Sequence, residues 1–178
     1  ARAITDADAA RFEIAGDFRL IALDTQWWLQ DAPKPTAECR PGTEQDVVDS
    51  LARALDVPTG TDAVVVLHHP LRSHGPHGGH FPVGDHIFPL RNLVSWLYLP
   101  LPLIGSLYPI ARMNGISDQD FSGARNAHMR QRLGEALVAR APRVIASGHE
   151  HTLQVLRDST PPTHLVSGWG YGGHVERV

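Results

Sequence analysis

The 178-residue sequence predicts a layered α/β domain, and three observations lead to this prediction. Short runs of β-branched and aliphatic residues, with the length of buried strands, alternate along the chain with longer amphipathic segments. Stretches rich in Gly and Pro separate these segments, as is typical of turns and loops. The hydrophobic content of 42% and the charged content of 20% are ordinary for a globular protein. We therefore expect a single domain over residues 1–178.

Two strands are predicted near the start of the sequence, where the segment RFEIAGDFRLIALDT surrounds a Gly-Asp pair at 16–17. The second of them, FRLIALDT, is apolar enough to be buried, and it ends at Asp24. A Pro-rich loop follows. Thr43 is then placed to cap a helix over 44–56. The apolar face of that helix is predicted to comprise Val47, Val48, Leu51 and Leu55.

The remaining elements surround one long segment rich in Gly, Pro and His, from 70 to 120. The run AVVVL at 63–67 predicts a buried strand before it. Within the segment we expect a short helix around Leu90–Leu97, and we interpret 80–120 as an insertion or lid, since long loops in compact domains are usually functional. A second helix is predicted within 120–141, with these side chains inward: Ala127, Leu133, Leu137 and Val138. Three strands are predicted to follow, in PRVIASG, HTLQVLRDS and THLVSGWG.

Charge and cysteine content exclude some classes of protein. The formal net charge of −3 argues against a nucleic-acid-binding protein, which usually shows a basic excess. Cys39 is the only cysteine, which excludes an internal disulfide and a zinc–thiolate cluster.

The apolar stretch 87–111 is interrupted by four prolines and Arg91, so its uninterrupted runs are too short to span a bilayer. It could contact a membrane surface or a protein partner, or form a small satellite core. Its aromatic residues could also form an apolar wall for an organic leaving group or a lipid: Trp96, Tyr98 and Tyr108.

Histidines are the compositional outlier, with eleven in the chain and five of them between 68 and 80. His68 and His69 directly follow one predicted strand, and His149 and His151 follow another. Ligands gather at strand ends in α/β sheets, and residues i and i+2 of an extended chain point the same way. A single pair would more often be a surface feature. Two sets after two core strands predict a metal site, because neutral imidazole binds Zn, Fe and Ni well.

These motifs resemble the calcineurin-like metallophosphoesterases, particularly the purple-acid-phosphatase-like branch. LHHP at 67–70 and GHEH at 148–151 resemble two family motifs, and His77-Gly78 has the family spacing from Pro70. LIALDT and the closing HLVSGWG are also similar to family segments. The resemblance implies the C-terminal half of a four-layer α/β/β/α sandwich and the activity of a hydrolase, a phosphatase acting on a phosphate ester substrate.

The resemblance also implies roles for individual residues. His68 and His149 would bind one metal ion, and His151 would bind the other. His77 would act on the phosphate as leaving-group acid or oxyanion stabiliser. His69 would hold a neighbouring side chain in place.

Other residues near the motifs are assigned weaker or different roles. His74 is an alternative to His77, and Asp24 is not expected to be a ligand, because its family counterpart is structural. In the 80–120 segment, the candidate substrate contacts are Arg112, Asn114 and Gln119.

The chain departs from the family in one respect. The family begins with Asp-x-His, Gly-Asp and Gly-Asn-His motifs that supply the carboxylate and Asn ligands, and these are not found here. We therefore expect a domain incomplete at its N-terminus, whose partner is the missing half. The complete enzyme would hold two metal ions (Fe, Mn or Zn), and this chain at most one. The alternative is a non-catalytic metal-binding module, or one that docks a partner or membrane, derived from such a hydrolase.

Overall fold

The computed structural model describes residues 10–13, 17–31, 33–34, 42–92, 94 and 96–168. It contains six strands: β1 (Ala10–Glu13), β2 (Phe18–Leu23), β3 (Asp62–Leu67), β4 (Val144–Ser147), β5 (Leu153–Leu156) and β6 (Thr163–Ser167). Its α-helices are α1 (Gln26–Leu29), α2 (Glu44–Ala54), α3 (Val83–Ile87), α4 (Leu107–Met113) and α5 (Ala124–Ala139). The predicted mixed α/β class is confirmed. The predicted turn at Gly16, Cys39 and the end of the last predicted strand lie outside the described residues.

One sheet in the order β1-β2-β3-β4-β6-β5 organises the fold. The four central strands β2, β3, β4 and β6 are parallel, whereas β1 and β5 pair antiparallel at the two edges. The carboxyl ends of parallel strands meet at one edge of a sheet, which is where α/β proteins place their sites. The histidines that follow β3 and β4 therefore share that edge.

The helices α2 and α5 cover one face of the sheet and form the core with it. The alternate strand residues Ile21, Val65 and Ile145 are almost completely buried on this face, together with Leu51 of α2 and Leu133 of α5. Strand residues alternate between the two faces, so this periodicity assigns the buried set to one side. The apolar face predicted for α2 is confirmed, since Val47, Leu51 and Leu55 are buried and Val48 packs against them.

The start and end of α2 are both closed by side chains. The Thr43 Oγ1 accepts from the Asp46 N–H at 3.1 Å, and the Asp46 carboxylate accepts from the Thr43 N–H at 2.9 Å, which confirms the predicted cap. At the other end the buried Arg19 donates to the carbonyls of Ala54 and Asp56, each at 3.1 Å. A cation there complements the negative end of the helix dipole.

The face predicted for α5 is partly wrong. Leu133 and Leu137 are buried as predicted, but Ala127 and Val138 are exposed. Val138 follows Leu137 by about 100° around the helix, which turns it away from the sheet. The other buried side chains of the helix are Asn126, Met129 and Ala136.

The opposite face of the sheet is apolar and open. The intervening residues Val64, Val66, Leu165 and Val155 point away from α2 and α5 and remain partly or largely exposed. Among the described residues, no helix covers these side chains. An apolar sheet face is ordinarily buried against another layer, so this face is suited to receive one.

The 80–120 segment folds beside the sheet edge, but not as predicted. The helix expected around Leu90–Leu97 is wrong: the structure has a 3₁₀ turn at Pro89–Asn92 instead, between α3 and α4. The prolines of this stretch remove backbone donors and fix φ, which limits helices to short pieces. In the part of the chain that the structure describes, no helix is long and apolar enough to cross a membrane.

Candidate metal centre

Three histidine side chains converge at the carboxyl ends of β3 and β4. His68, His69 and His149 each offer a ring nitrogen, and these nitrogens all lie within 4.8 Å of one another. The two strand ends are joined by a hydrogen bond from the Gly148 N–H to the His68 carbonyl, at 3.0 Å. The cluster therefore follows directly from the parallel pairing of the two strands.

The geometry of His68 and His149 suits one metal ion. The His149 Nε2 lies 3.2 Å from the Gln119 carbonyl, an acceptor only, so Nε2 carries the proton and Nδ1 is left as a free lone pair. That Nδ1 lies 3.3 Å from the His68 Nε2. Two nitrogens that bind one tetrahedral zinc ion at about 2.0–2.1 Å lie about 3.3 Å apart. The donor set and its spacing therefore fit a metal of the kind that the resemblance implies.

Electrostatics keep His149 in the neutral form that a ligand requires. Burial, and then the neighbouring His77 and His69, lower the pKa of His149 to about 3. An imidazolium has no free lone pair, so a group that stays neutral at ordinary pH is ready to bind a metal.

The backbone of His149 is strained. Its φ is +65°, in the left-handed region that residues other than Gly, Asn and Asp rarely adopt. Such strain costs about 1–3 kcal/mol and collects at functional sites. In this conformation the His149 Nδ1 lies 3.3 Å from the His68 Nε2.

His69 is held by its neighbours rather than left free. It is fully buried, and its Nδ1 lies 2.9 Å from the Thr25 Oγ1, which also accepts from the His69 N–H. Thr25 therefore donates its hydroxyl proton to Nδ1, and the protonated Nε2 donates to the Gln119 Oε1 at 2.9 Å. Burial lowers the pKa of His69. With both ring nitrogens engaged, His69 fits the predicted supporting role, and a metal would have to displace one partner.

His77 adds a fourth imidazole to the site. Its ring centroid lies 4.0 Å from that of His149. Its Nδ1 lies 2.8 Å from the Asp120 Oδ1 and 2.9 Å from an Arg112 nitrogen. In the tautomer with the proton on Nδ1, the ring donates to Asp120 and Nε2 is left for the site. This is the arrangement by which a carboxylate fixes the tautomer and orientation of a working histidine.

The buried Asp120 and the partly buried Arg112 form an ion pair behind His77. The Arg112 Nε donates to the Asp120 Oδ2 at 2.8 Å, and a second Arg112 nitrogen reaches the other carboxylate oxygen. Burial alone would raise the pKa of Asp120, but the hydrogen bonds from Arg112 and His77 outweigh it and lower the pKa. The Asp120 carboxylate raises the pKa of Arg112. Both groups therefore stay charged.

Glu150 connects the loop that carries His77 with the loop that carries His149 through hydrogen bonds. It is fully buried; its carboxylate accepts from the Ser73 hydroxyl at 2.5 Å and from the His77 N–H at 3.2 Å. The loop passes so close that a Cβ on Gly75 would lie 2.4 Å from the Glu150 Cδ. A side chain at position 75 would therefore have to displace the Glu150 carboxylate.

Several predicted site residues lie outside the cluster. His151 is exposed, and His74 is exposed with its ring 5.4 Å from that of His80. The Asn114 amide donates to the Ile110 carbonyl at 2.7 Å. Asp24, for which no ligand role is expected, accepts from the Gln26 and Trp27 N–H groups at the start of α1, at 3.0 and 3.2 Å. The ligand role of His151 and the substrate role of Asn114 stay predictions.

The predictions from sequence did not include Asp120, Glu150 or Thr25. Asp120 meets His77 across 43 positions, and Thr25 meets His69 across 44. No local spacing signals such pairs. Of these three residues, Glu150 is the one that the sequence could have indicated. A carboxylate between His149 and His151 is unusual beside a buried strand.

A cavity of about 670 Å³ lies elsewhere, between α5 and the turn at 160–162. Its walls include Leu137, Ile145 and His164, and none of the histidines of the metal centre. Burial lowers the pKa of His164.

Comparison with known proteins does not identify a family. No protein-family model matches the chain, and no curated protein is significantly similar to it.

Replacement of Asp120 by alanine is expected to lower the free energy of unfolding by about 3–5 kcal/mol. The change would leave the Arg112 guanidinium, only 15% exposed, without its carboxylate. Urea denaturation followed by circular dichroism measures the loss. The control is Asp158→Ala, which removes an exposed ion pair with Arg72 and should cost less than about 1 kcal/mol. Equal losses in the two variants would contradict the buried pair.

Proposed function

We propose that this chain belongs to a metal-dependent phosphoesterase of the calcineurin-like kind. In this proposal His68 and His149 hold a metal ion, and His77 acts on the phosphate ester. The observation that carries the proposal is the pair of free ring nitrogens 3.3 Å apart, with a carboxylate-held histidine against one of them.

The metal would supply Lewis acidity and a more acidic water, as metal ions do in phosphoryl transfer. His77 supplies a positioned nitrogen, because Asp120 holds its Nδ1 and Glu150 holds its backbone N–H. When Nε2 also carries a proton, the Asp120 carboxylate offsets the charge of the ring. His77 is then suited to protonate a leaving oxygen or to bind a phosphoryl oxygen.

The open sheet face supports the four-layer part of the proposal. A second sheet packed on Val64, Val66 and Leu165 would complete an α/β/β/α sandwich. We propose that a further polypeptide segment with the Asp-x-His and Gly-Asn-His motifs supplies this sheet together with carboxylate and Asn ligands, including those of a second metal ion, which His151 would help to bind.

A second candidate function is a non-catalytic metal-binding module. Within the described residues, the histidine cluster contains no carboxylate. A bridging carboxylate is usual where two metal ions lie about 3.5–4 Å apart. The imidazoles of His68 and His149, without a carboxylate, suit one ion, which favours this candidate for the chain by itself.

The test is hydrolysis of p-nitrophenyl phosphate with added Mn, Zn or Fe. We expect little turnover by the 178-residue chain alone, and metal-dependent turnover once a polypeptide with the Asp-x-His and Gly-Asn-His motifs is supplied. A chelator should abolish it. Robust turnover by the chain alone, lost in His149→Ala, would show that the carboxylate ligands are dispensable. Absence of turnover in every combination would leave the metal-binding module.

A further inference from the structure

A group of large apolar side chains is exposed close to the metal centre. We define it as the apolar patch; its members are Trp96, Tyr98, Leu99, Leu103, Ile104 and Leu107. Leu103 is 88% exposed, Trp96 76% and Leu107 64%. Single exposed apolar side chains are ordinary, but six of them within twelve residues indicate a binding role.

The exposure is built into the backbone. The Leu101 N–H donates to the Ile87 carbonyl at 2.8 Å, and Gly105 lies so close to His86 that a Cβ would meet its carbonyl oxygen at 2.1 Å. These contacts fasten the segment to α3. Leu103 has a φ of +73°, which strains a residue with a side chain and leaves it projecting at a loop tip.

The helix α4 connects the patch with the metal centre. Leu107, at its start, belongs to the patch, and Arg112, near its end, approaches the His77 Nδ1 at 2.9 Å. Between them Tyr108 contacts Arg112 through its hydroxyl, at 3.4 Å. The distance from a molecule lying on the patch to the imidazoles is therefore about the length of α4, which has seven residues.

The apolar patch lies in a stretch without charge. None of the residues from 92 to 111 is acidic or basic, and the arginines at its two ends are paired with carboxylates, Arg91 with Asp85 at 3.6 Å and Arg112 with Asp120. Insertion of this stretch at a lipid surface would therefore bury no charged side chain of its own. Trp and Tyr together with projecting Leu and Ile are the composition of surfaces that insert at the membrane interface.

We propose that the apolar patch seats the protein on a lipid surface and that the substrate is the phosphate monoester of a lipid; the substrate assignment rests on the proposed function. In the reaction a water oxygen forms a bond to phosphorus, and the bond from phosphorus to the lipid oxygen breaks. One proton of the water ends on that lipid oxygen. The products are the lipid alcohol and inorganic phosphate, and water is the only co-reactant.

The first experiment measures co-sedimentation of the chain with phosphatidylcholine vesicles, with and without phosphatidylglycerol. The double variant Leu103→Ser/Leu107→Ser is expected to bind about tenfold or more weakly. The matched control is Val138→Ser/Leu153→Ser, which removes two side chains of similar exposure (85% and 78%) outside the patch and should bind normally. No binding by the unaltered chain, or equal losses in both variants, overturns the lipid contact. A change of molecular mass in solution in the patch variant alone, without vesicle binding, assigns the patch to a protein partner instead.

The second experiment compares phosphatidic acid in mixed micelles with p-nitrophenyl phosphate, both with the metal-loaded protein under the conditions of the function assay. The patch variant should lose about tenfold in kcat/KM on phosphatidic acid and none on the soluble ester. Hydrolysis of the soluble ester but not of phosphatidic acid overturns the lipid substrate and leaves the proposed function. Vesicle binding through the patch without hydrolysis of either ester overturns the proposed function and the lipid substrate, and supports the lipid contact.

Discussion

His149→Gly is expected to lose metal binding while keeping the fold. The glycine removes the Nδ1 that lies 3.3 Å from the His68 Nε2, so the affinity for zinc should fall by more than about 100-fold, because loss of a supporting partner alone costs about 10–100-fold. The free energy of unfolding without metal should change by less than about 1 kcal/mol, because glycine relieves the φ of +65°. Calorimetric titration with zinc, and urea denaturation in a chelator, measure the two effects.

Two further variants sharpen this experiment. His128→Ala removes an exposed imidazole of α5 that pairs with Glu44. This variant should bind zinc normally. His151→Ala tests the ligand role that the resemblance implies for an exposed side chain. We expect one zinc ion per chain. Unchanged affinity in His149→Gly, with loss in His151→Ala, would move the site away from the described cluster.

His77→Ala is expected to lower kcat by about 10²–10⁴-fold without loss of metal, once turnover has been established in the metal-loaded protein. The reason is that His77 contributes a proton donor or an oxyanion contact and is not a ligand in the proposed arrangement. Steady-state hydrolysis of p-nitrophenyl phosphate and metal content after dialysis are measured on the same samples.

The comparison with His68→Ala and His74→Ala separates the possible roles. His68→Ala should lose the metal and the activity together. His74→Ala should change neither, because His74 is exposed and its ring lies 5.4 Å from that of the exposed His80. If His74→Ala abolished turnover and His77→Ala did not, the spacing from Pro70 would have assigned the role to the wrong histidine.

The sequence predicted the fold class and most of its elements, because their signals are local. The β-branched run before His68 forms β3, and the Thr43 cap begins α2, as periodicity and capping chemistry predict. The misplaced elements are those in which local signals compete. In α5, where the hydrophobic periodicity is weak, Ala127 and Val138 were assigned to the wrong side, and the prolines around Leu90–Leu97 left only a 3₁₀ turn.

The sequence by itself predicted that His68 and His149 lie together, because each comes at the end of a predicted core strand and ligands gather at strand ends in α/β sheets. The parallel pairing of β3 and β4 brings both strand ends to one edge. Only the tertiary structure decided which side chains contact the neighbouring histidines, His69 and His77. Asp120 reaches His77 across 43 positions, and Gln119 reaches His69 across 50, because the segment that carries both packs back over the sheet edge. Such contacts depend on the packing of an irregular segment, whose path has no periodicity to read, whereas strand register is fixed by a repeat of two residues.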